Sequence, residues 1–259
     1  MPIFRTLVTA GLLHDIGKFL QRGDLSELTP SGRHPEVSRD FVNAHRDFFG
    51  RFCDADLLVE LVARHHESRN FPSHLQAQGA RENIRDLAFM VSRADNYSSA
   101  ERDDPSGPGA GYRNVALGAV FSRLHLEGEK GREFSYRLNR LSPENAFPVE
   151  GRELTDESPY RRHLKEFGAE FAQLSKDKSI NNFDKFYNRL LSLLQSYTWC
   201  VPSSTLDAFP DVSLYDHSRT TLALASALYK YHQETETLTE EAIKDYKPEK
   251  FLLISGDFY

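Results

Sequence analysis

Seven residues of this chain are candidates, by type and position, to hold metal ions: His14, Asp15, His34, His65, His66, Asp95 and His217. They sit in five short segments, "LLHDIGK", "RHPEVS", "ARHHE", "RADNYSSAERD" and "YDHSRTT". Imidazole and carboxylate are the usual ligands for Mn, Fe, Co, Ni and Zn. Singly, each residue has a plainer reading. A histidine at a helix end can serve the dipole or the cap. Asp95 can bond a nearby base such as Arg93 or Arg102. The set reads differently, because "LLHDIGK" places His14 and Asp15 side by side in an apolar run, where a charge is costly unless something compensates it. A divalent cation does so. Two such ions sharing a carboxylate can clamp both oxygens of a phosphodiester as it is cleaved.

The segments must be brought together by helices. Residues 3–20 read as one helix, with Leu7, Gly11, Asp15 and Phe19 along a ridge, and His14 and Asp15 about 100° apart. Lys18 follows them by four and three and shares their side. The turn-rich residues 21–33 form a loop. Pro35 suits the first turn of a second helix, with His34 at or just before its cap and "EVSRDFVNAHRDFF" continuing it. A third begins near Asp54 or Asp56. There Leu57, Leu61 and His65 lie four apart, as do Leu58, Val62 and His66, so both histidines extend the apolar stripe. A fourth covers residues 81–103, with Ala88, Val91 and Asp95 on one face. "DDPSGPGAGY" at 103–112 is a loop. "REFSYRLNRL" alternates as a strand does, with "SPENAFPVEG" as turn and return. Helical periodicity returns in "PYRRHLKEFGAEFAQL", "NFDKFYNRLLSLLQSYTWCV" and residues 215–233, where His217 leads Thr221, Leu224 and Leu228. "EKFLLISGDFY" reads as a buried strand, the first of a domain that would follow.

Composition narrows the class. The 259 residues are 39% hydrophobic and 27% charged, as in ordinary globular proteins. No apolar run approaches the ~18 residues of a membrane span. The first residues lack a basic region and an A-x-A-like site, so they read as structure and not as a signal peptide. Cys53 and Cys200 are isolated, which excludes zinc ribbons and CxxC redox motifs and makes the cytoplasm the expected compartment. The net charge of −6 argues against bulk electrostatic binding of nucleic acid, so such binding needs a local basic patch or partner subunits. Arginines 22, 33, 64, 69, 93 and 102 flank the motifs. Lys18, Arg64, Arg69 and Arg93 are the candidates to hold a strand's backbone, with Phe71 or Tyr97 to stack on bases.

At these residues the chain resembles the HD superfamily of metal-dependent phosphohydrolases, with the leading histidine moved to the C-terminal side as His217. The order of segments, with "ADNYSSAERD", "LYDHSRTTLALASALY" and "FLLISGDF", is similar to the N-terminal region of the large subunit of type III CRISPR effector complexes, Csm type. The resemblance implies a mainly α fold, a permuted HD-type helical bundle with a small irregular or β insertion and the first strand of a palm domain. Its expected divisions are an HD core over 1–103, an insertion over 104–158, completing helices over 159–235, and a linker with the start of the palm over 236–259. It implies that His14, Asp15, Asp95 and His217 hold one metal, and that Asp15 bridges to a second held by His34, His65 and His66. It further implies that Lys18 contacts the scissile phosphate, with His14, Asp15 and Lys18 as the catalytic group. The cofactor expected is one or two ions of Mn²⁺ or Ni²⁺. The activity implied is cleavage of single-stranded DNA, in company with other Csm-type subunits, guide RNA and target RNA. No GGDD motif occurs, so no cyclase activity is assigned. Two other readings stand beside this one: an HD phosphohydrolase acting on nucleotides or other small phosphates, and a non-catalytic assembly module.

Overall fold

The computed structural model describes residues 2–23, 32–99, 115–124, 131–151, 159–206 and 209–256. Its centre is α1 (Pro2–Leu13), in which every residue from Thr6 to Leu13 is buried. A helix that is buried on all sides must be enclosed by others. Here α5 (Ala55–Ala63), α6 (Glu82–Ser98) and α9 (Leu214–Glu234) pack around it, and α6 also packs along α9. Gly11 permits the closest approach, since a Cβ there would lie 2.9 Å from Leu222 Cα of α9.

The next helices form a second layer. Short α2 (Ile16–Arg22) lies on α3 (His34–Ala44), which packs on α5, and α4 (Arg46–Gly50) follows. The paired helices α7 (Pro159–Lys176) and α8 (Phe183–Thr198) close the outside through an aromatic cluster. Phe41, Phe48 and Phe49 of the second layer meet Phe171 there, and Phe48 and Phe49 also meet Phe186. Last comes α10 (Glu240–Lys244), against α6. The fold is mainly α, as expected. The strand pattern at 132–141 yields β1 (Phe134–Ser135) alone, paired antiparallel with β2 (Val149–Glu150). No helix among the described residues is long and apolar enough to cross a membrane.

Four sequence expectations are corrected. The helix read over 3–20 is two helices, broken at His14 and Asp15. The helix beginning at His34 stops at Ala44, and α4 restarts it one residue later. The third helix ends at Ala63, so His65 and His66 lie beyond it and not on its stripe. Residues 251–256 form no strand: Leu252, Leu253 and Ile254 are exposed, and strand geometry needs a backbone partner that the described residues do not place there. The loop expected at 103–112, and Arg102, lie outside the described residues.

Gly17 is the tightest point between layers. A Cβ there would sit 2.0 Å from the His34 carbonyl oxygen and 2.9 Å from Ser38 N, both backbone atoms that cannot swing aside. Gly17→Ala should therefore cost at least the ~1–3 kcal/mol of ordinary overpacking. Urea denaturation should show a lowered midpoint with an unchanged slope.

Candidate metal centre

The break after α1 is where the site is made. Asp15 is the N-cap residue of α2, yet its side chain makes no capping bond. An N-cap aspartate ordinarily accepts a backbone N–H of the first turn. Here Ser38 of α3 takes over that task. Its Oγ accepts the Gly17 N–H at 2.9 Å and donates to the His14 carbonyl at 2.7 Å. The Asp15 carboxylate is thereby released from the helix end and turned into the interior, 1% exposed.

The other elements converge on it. His34 is the first residue of α3, one place after its N-cap Arg33. His65 and His66 leave α5 in an extended stretch, and His66 is fixed by a backbone bridge in which Ala77 N–H donates to its carbonyl at 2.8 Å. Asp95 lies in the last turns of α6 and His217 in the first turn of α9. Ser213 caps α9, its Oγ accepting Asp216 N–H at 3.0 Å.

All seven predicted residues meet in two adjoining donor sets, His14, Asp15, Asp95 and His217 in one and His34, His65 and His66 in the other. Asp15 touches both. Its Oδ2 lies 3.2 Å from His217 Nε2 and 3.5 Å from His14 Nε2. Its Oδ1 lies 3.2 Å from His34 Nε2 and 3.7 Å from His65 Nε2. Asp95 Oδ1 completes the first set at 3.1 Å from His217 Nε2 and 3.6 Å from His14 Nε2. In the second, His34 Nε2 is 2.9 Å from His66 Nε2 and 3.4 Å from His65 Nε2.

Three of the rings are oriented by their far nitrogens. His14 Nδ1 donates to the Gly11 carbonyl at 2.8 Å and His65 Nδ1 to the Val62 carbonyl at 2.9 Å. His217 Nδ1 donates to Ser98 Oγ at 2.9 Å, while Ser98 bonds the Asp95 carbonyl and Thr221 bonds the His217 carbonyl. In each case Nδ1 is engaged by that acceptor and Nε2 is turned to the centre, the arrangement that metal-binding histidines use.

The electrostatics fit a cation. Burial pushes the His34 ring down to about 3 and the His66 ring to about 4, and holds His65 well below the usual imidazole range. These rings are neutral and can offer lone pairs. Burial alone would raise the Asp15 carboxyl, but the Lys18 ammonium and the imidazoles around it hold it well below the ordinary carboxylate range. Asp95 is likewise held low against its burial by bonds from His14 and His217. Burial pushes the His14 ring down, yet the facing carboxylates raise it. Lys18 Nζ stands 2.5 Å from Asp15 Oδ2, one ammonium against two interior carboxylates. Asp15 Oδ1, buried and facing neutral rings, has no hydrogen-bond partner. A lone-pair-lined pocket with an orphaned carboxylate oxygen suits a divalent cation and suits little else.

Several contributors escaped the sequence reading. Ser38, Ser98 and Thr221 had only spacing to betray them: Ser98 follows Asp95 by three and Thr221 follows His217 by four. Glu67 ties the histidine segment to α6, accepting from Ser92 Oγ at 3.0 Å and Arg93 at 2.8 Å. That pairing tells against the plainer reading in which Arg93 bonds Asp95. It also commits Arg93 to a carboxylate of this chain, as Glu60 does Arg64 at 2.7 Å. Arg69 is exposed. Phe71 stacks on His66, with ring centroids 3.9 Å apart, and Arg33 lies over the same Phe71 ring. Its face is thus occupied by the chain itself, and Tyr97 packs against Phe251.

The chain is similar to known proteins in sequence and in fold. The family described as HD domain matches residues 5–100. The chain is 29% identical over 277 residues to the single-strand-specific deoxyribonuclease Cas10/Csm1 (subtype III-A) of Methanocaldococcus jannaschii, covering 96% of this chain and 31% of that protein. It is also 29% identical to the protein of that name from Thermococcus onnurineus, covering 100% and 31%. The chain thus spans about a third of the length of the curated relatives it matches. Among solved structures, Csm1 of T. onnurineus superposes with a TM-score of 0.62 at 29% identity, over 89% of this chain and 29% of that one. A Csm1–Csm4 subcomplex gives 0.59 at 26% identity, over 89% and 28%.

Outer groups that aim ligating histidines are worth about 10–100-fold in metal affinity. Ser98→Ala should weaken Mn²⁺ binding by that factor in a calorimetric titration, with helix content unchanged. Phe71→Leu should weaken the site through His66 by a smaller factor in the same measurement.

Proposed function

On the premise that this chain carries the HD domain of a Csm-type large subunit, matched at residues 5–100 and completed by α9, we propose that it is a metal-dependent nuclease that hydrolyses phosphodiesters of single-stranded DNA. The observation that carries the reading is Asp15, whose two oxygens each face a separate imidazole set within one buried pocket. His14, Asp15, Asp95 and His217 would hold one ion, and His34, His65 and His66 a second that shares Asp15. Mn²⁺ or Ni²⁺ suits a donor set of five imidazoles and two carboxylates without thiolate. When bound, the metal supplies Lewis acidity and a water acidified to a pKa of about 7.

The chain's own groups do the rest. His14 and His217 stay aimed because their Nδ1 protons are held by a carbonyl and a hydroxyl. Asp15 keeps its negative charge because Lys18 and the imidazoles stabilise it. The Lys18 side chain is 20% exposed while Asp15 is buried, so its ammonium stands at the edge of the site, where it can meet a non-bridging phosphate oxygen. Such an ammonium favours the charge that builds up on the phosphoryl group in the transition state. Arg64, Arg69 and Arg93 remain candidates for the strand's backbone, Arg69 being the exposed one. The relatives' names support single-stranded DNA as the substrate, and a neighbour solved as a Csm1–Csm4 subcomplex supports other Csm subunits as partners. Guide RNA, target RNA and a cytoplasmic setting complete the proposal.

Circular single-stranded DNA incubated with Mn²⁺ or Ni²⁺ should be opened and then shortened, which also separates a nuclease from an enzyme that takes only free nucleotides. Asp15→Asn should reduce the rate by at least ~100-fold, the upper range for disturbing a metal's surroundings. Cleavage by that variant at the wild-type rate would sink the assignment.

A further inference from the structure

A cleft of about 340 Å³ lies beside the metal centre, and Lys18 and His34 belong to both. Each touches Asp15 on one side, at 2.5 Å and 3.2 Å, and lines the cleft on the other. The far wall is the run Ser203–Leu206, which the sequence reading left unassigned. This run is rooted firmly. Pro202 bridges Ser213, Ser203 N–H donates to the Val212 carbonyl at 2.9 Å, and Leu214 N–H donates back to Val201 at 2.6 Å. The loop is therefore anchored to the start of α9, three residues before His217.

The floor is Arg22, 5% exposed, whose guanidinium donates to the Pro202 carbonyl at 2.7 Å and lies over the Tyr160 ring. Among the described residues no carboxylate meets it. A buried guanidinium without a carboxylate, facing a cleft that also holds an ammonium, attracts an anion. Opposite stand the side chains of Ser204 and Thr205, partly exposed, and Leu206, largely exposed, which offer hydroxyls and one apolar contact. Gln21 donates its amide N–H to the Gly32 carbonyl, which leaves its own carbonyl oxygen to accept.

We propose that this cleft seats one nucleotide unit of the strand, the one flanking the bond that the metal centre cuts. The phosphate lies at the Lys18 and Arg22 end, and the sugar and base lie against Gln21, Ser204, Thr205 and Leu206. The volume is at the lower end of the ~300–1,000 Å³ of small-molecule pockets, room for about one nucleotide and not for a stacked run. This subsite rests on the nuclease reading for its neighbour, but binding can be measured without cleavage.

Anisotropy of a labelled short oligothymidylate in EDTA gives that measurement on the full chain. Ser204→Trp, which fills the cleft, should raise the Kd about tenfold, and the Ser204→Ala, Thr205→Ala double variant should raise it severalfold. Mn²⁺ uptake by calorimetry should stay at the wild-type level in both. An unchanged Kd in both variants overturns the subsite. So does loss of Mn²⁺ uptake together with strand binding, because the loop would then only be holding up α9. Deoxythymidine monophosphate should displace the strand far more weakly than unlabelled oligothymidylate does, and equal potency would overturn the assignment in favour of free nucleotides. Failure of the wild-type chain to take up Mn²⁺ would strike the metal-centre reading alone, since the strand-binding comparison in EDTA still decides the cleft.

Discussion

The carboxylate of Asp15 is withdrawn from water and shared between two groups of imidazoles, and the architecture around it exists to make that tolerable. Moving such a charge into the interior costs several kcal/mol unless partners repay it. The repayment visible in the chain is partial: Lys18 on Oδ2, neutral rings on Oδ1 and no hydrogen bond there. Every element near the site can be understood as holding this unstable arrangement in place. Central α1 stops just short of it, α2 begins just after it, α3, α6 and α9 each bring a candidate ligand near one of their ends, and the extended stretch after α5 brings His65 and His66.

The local consequence is a division of labour between serine and aspartate. An aspartate at a helix start would normally serve the helix. Ser38, reaching from α3, serves it instead, and the same hydroxyl holds the His14 carbonyl. One side chain thus allows both members of the dyad to face inward. Gly17 is part of this device, because only a residue without Cβ lets the His34 backbone come so near. Ser98 and Thr221 do similar work between α6 and α9, where His217 is aimed by a hydroxyl of another helix. The positioning groups are small, neutral and distant in sequence, which suits a pocket where further charge would be expensive.

Residue type and order carried much of this. The mainly helical fold followed from 3.6-residue periodicity, and the seven ligand candidates from their chemistry and their place on apolar faces. Asp95 and His217 were legible because each sits on the inward face of a long helix that forms as expected. His65 and His66 were found for a reason that the chain does not use. The helix meant to carry them ends at Ala63, and they reach the site from extended backbone tethered to Val62 and Ala77. The break between α1 and α2 was hidden because an apolar ridge continues across it, and only the Ser38 bonds and the demand of Asp15 for an interior partner favour a turn there. The arginines were the least legible. A guanidinium beside a motif looks free in sequence, yet Arg64 pairs with Glu60 four residues before it, a spacing the sequence did show, and Arg93 pairs with Glu67, which only folding brings near.

The sequence by itself determined the inventory: which groups could ligate, how many, and on which helices most of them ride, because helix periodicity and side-chain chemistry are local properties. Tertiary structure alone decided the assignment of each oxygen of Asp15 to its own set of rings, the contact of His217 Nδ1 with Ser98, and the cleft between Lys18 and residues 203–206. Those depend on contacts between segments as many as 203 residues apart, as His14 and His217 are. No spacing rule reaches that far, since chain entropy sets no preference among distant partners until packing has chosen them.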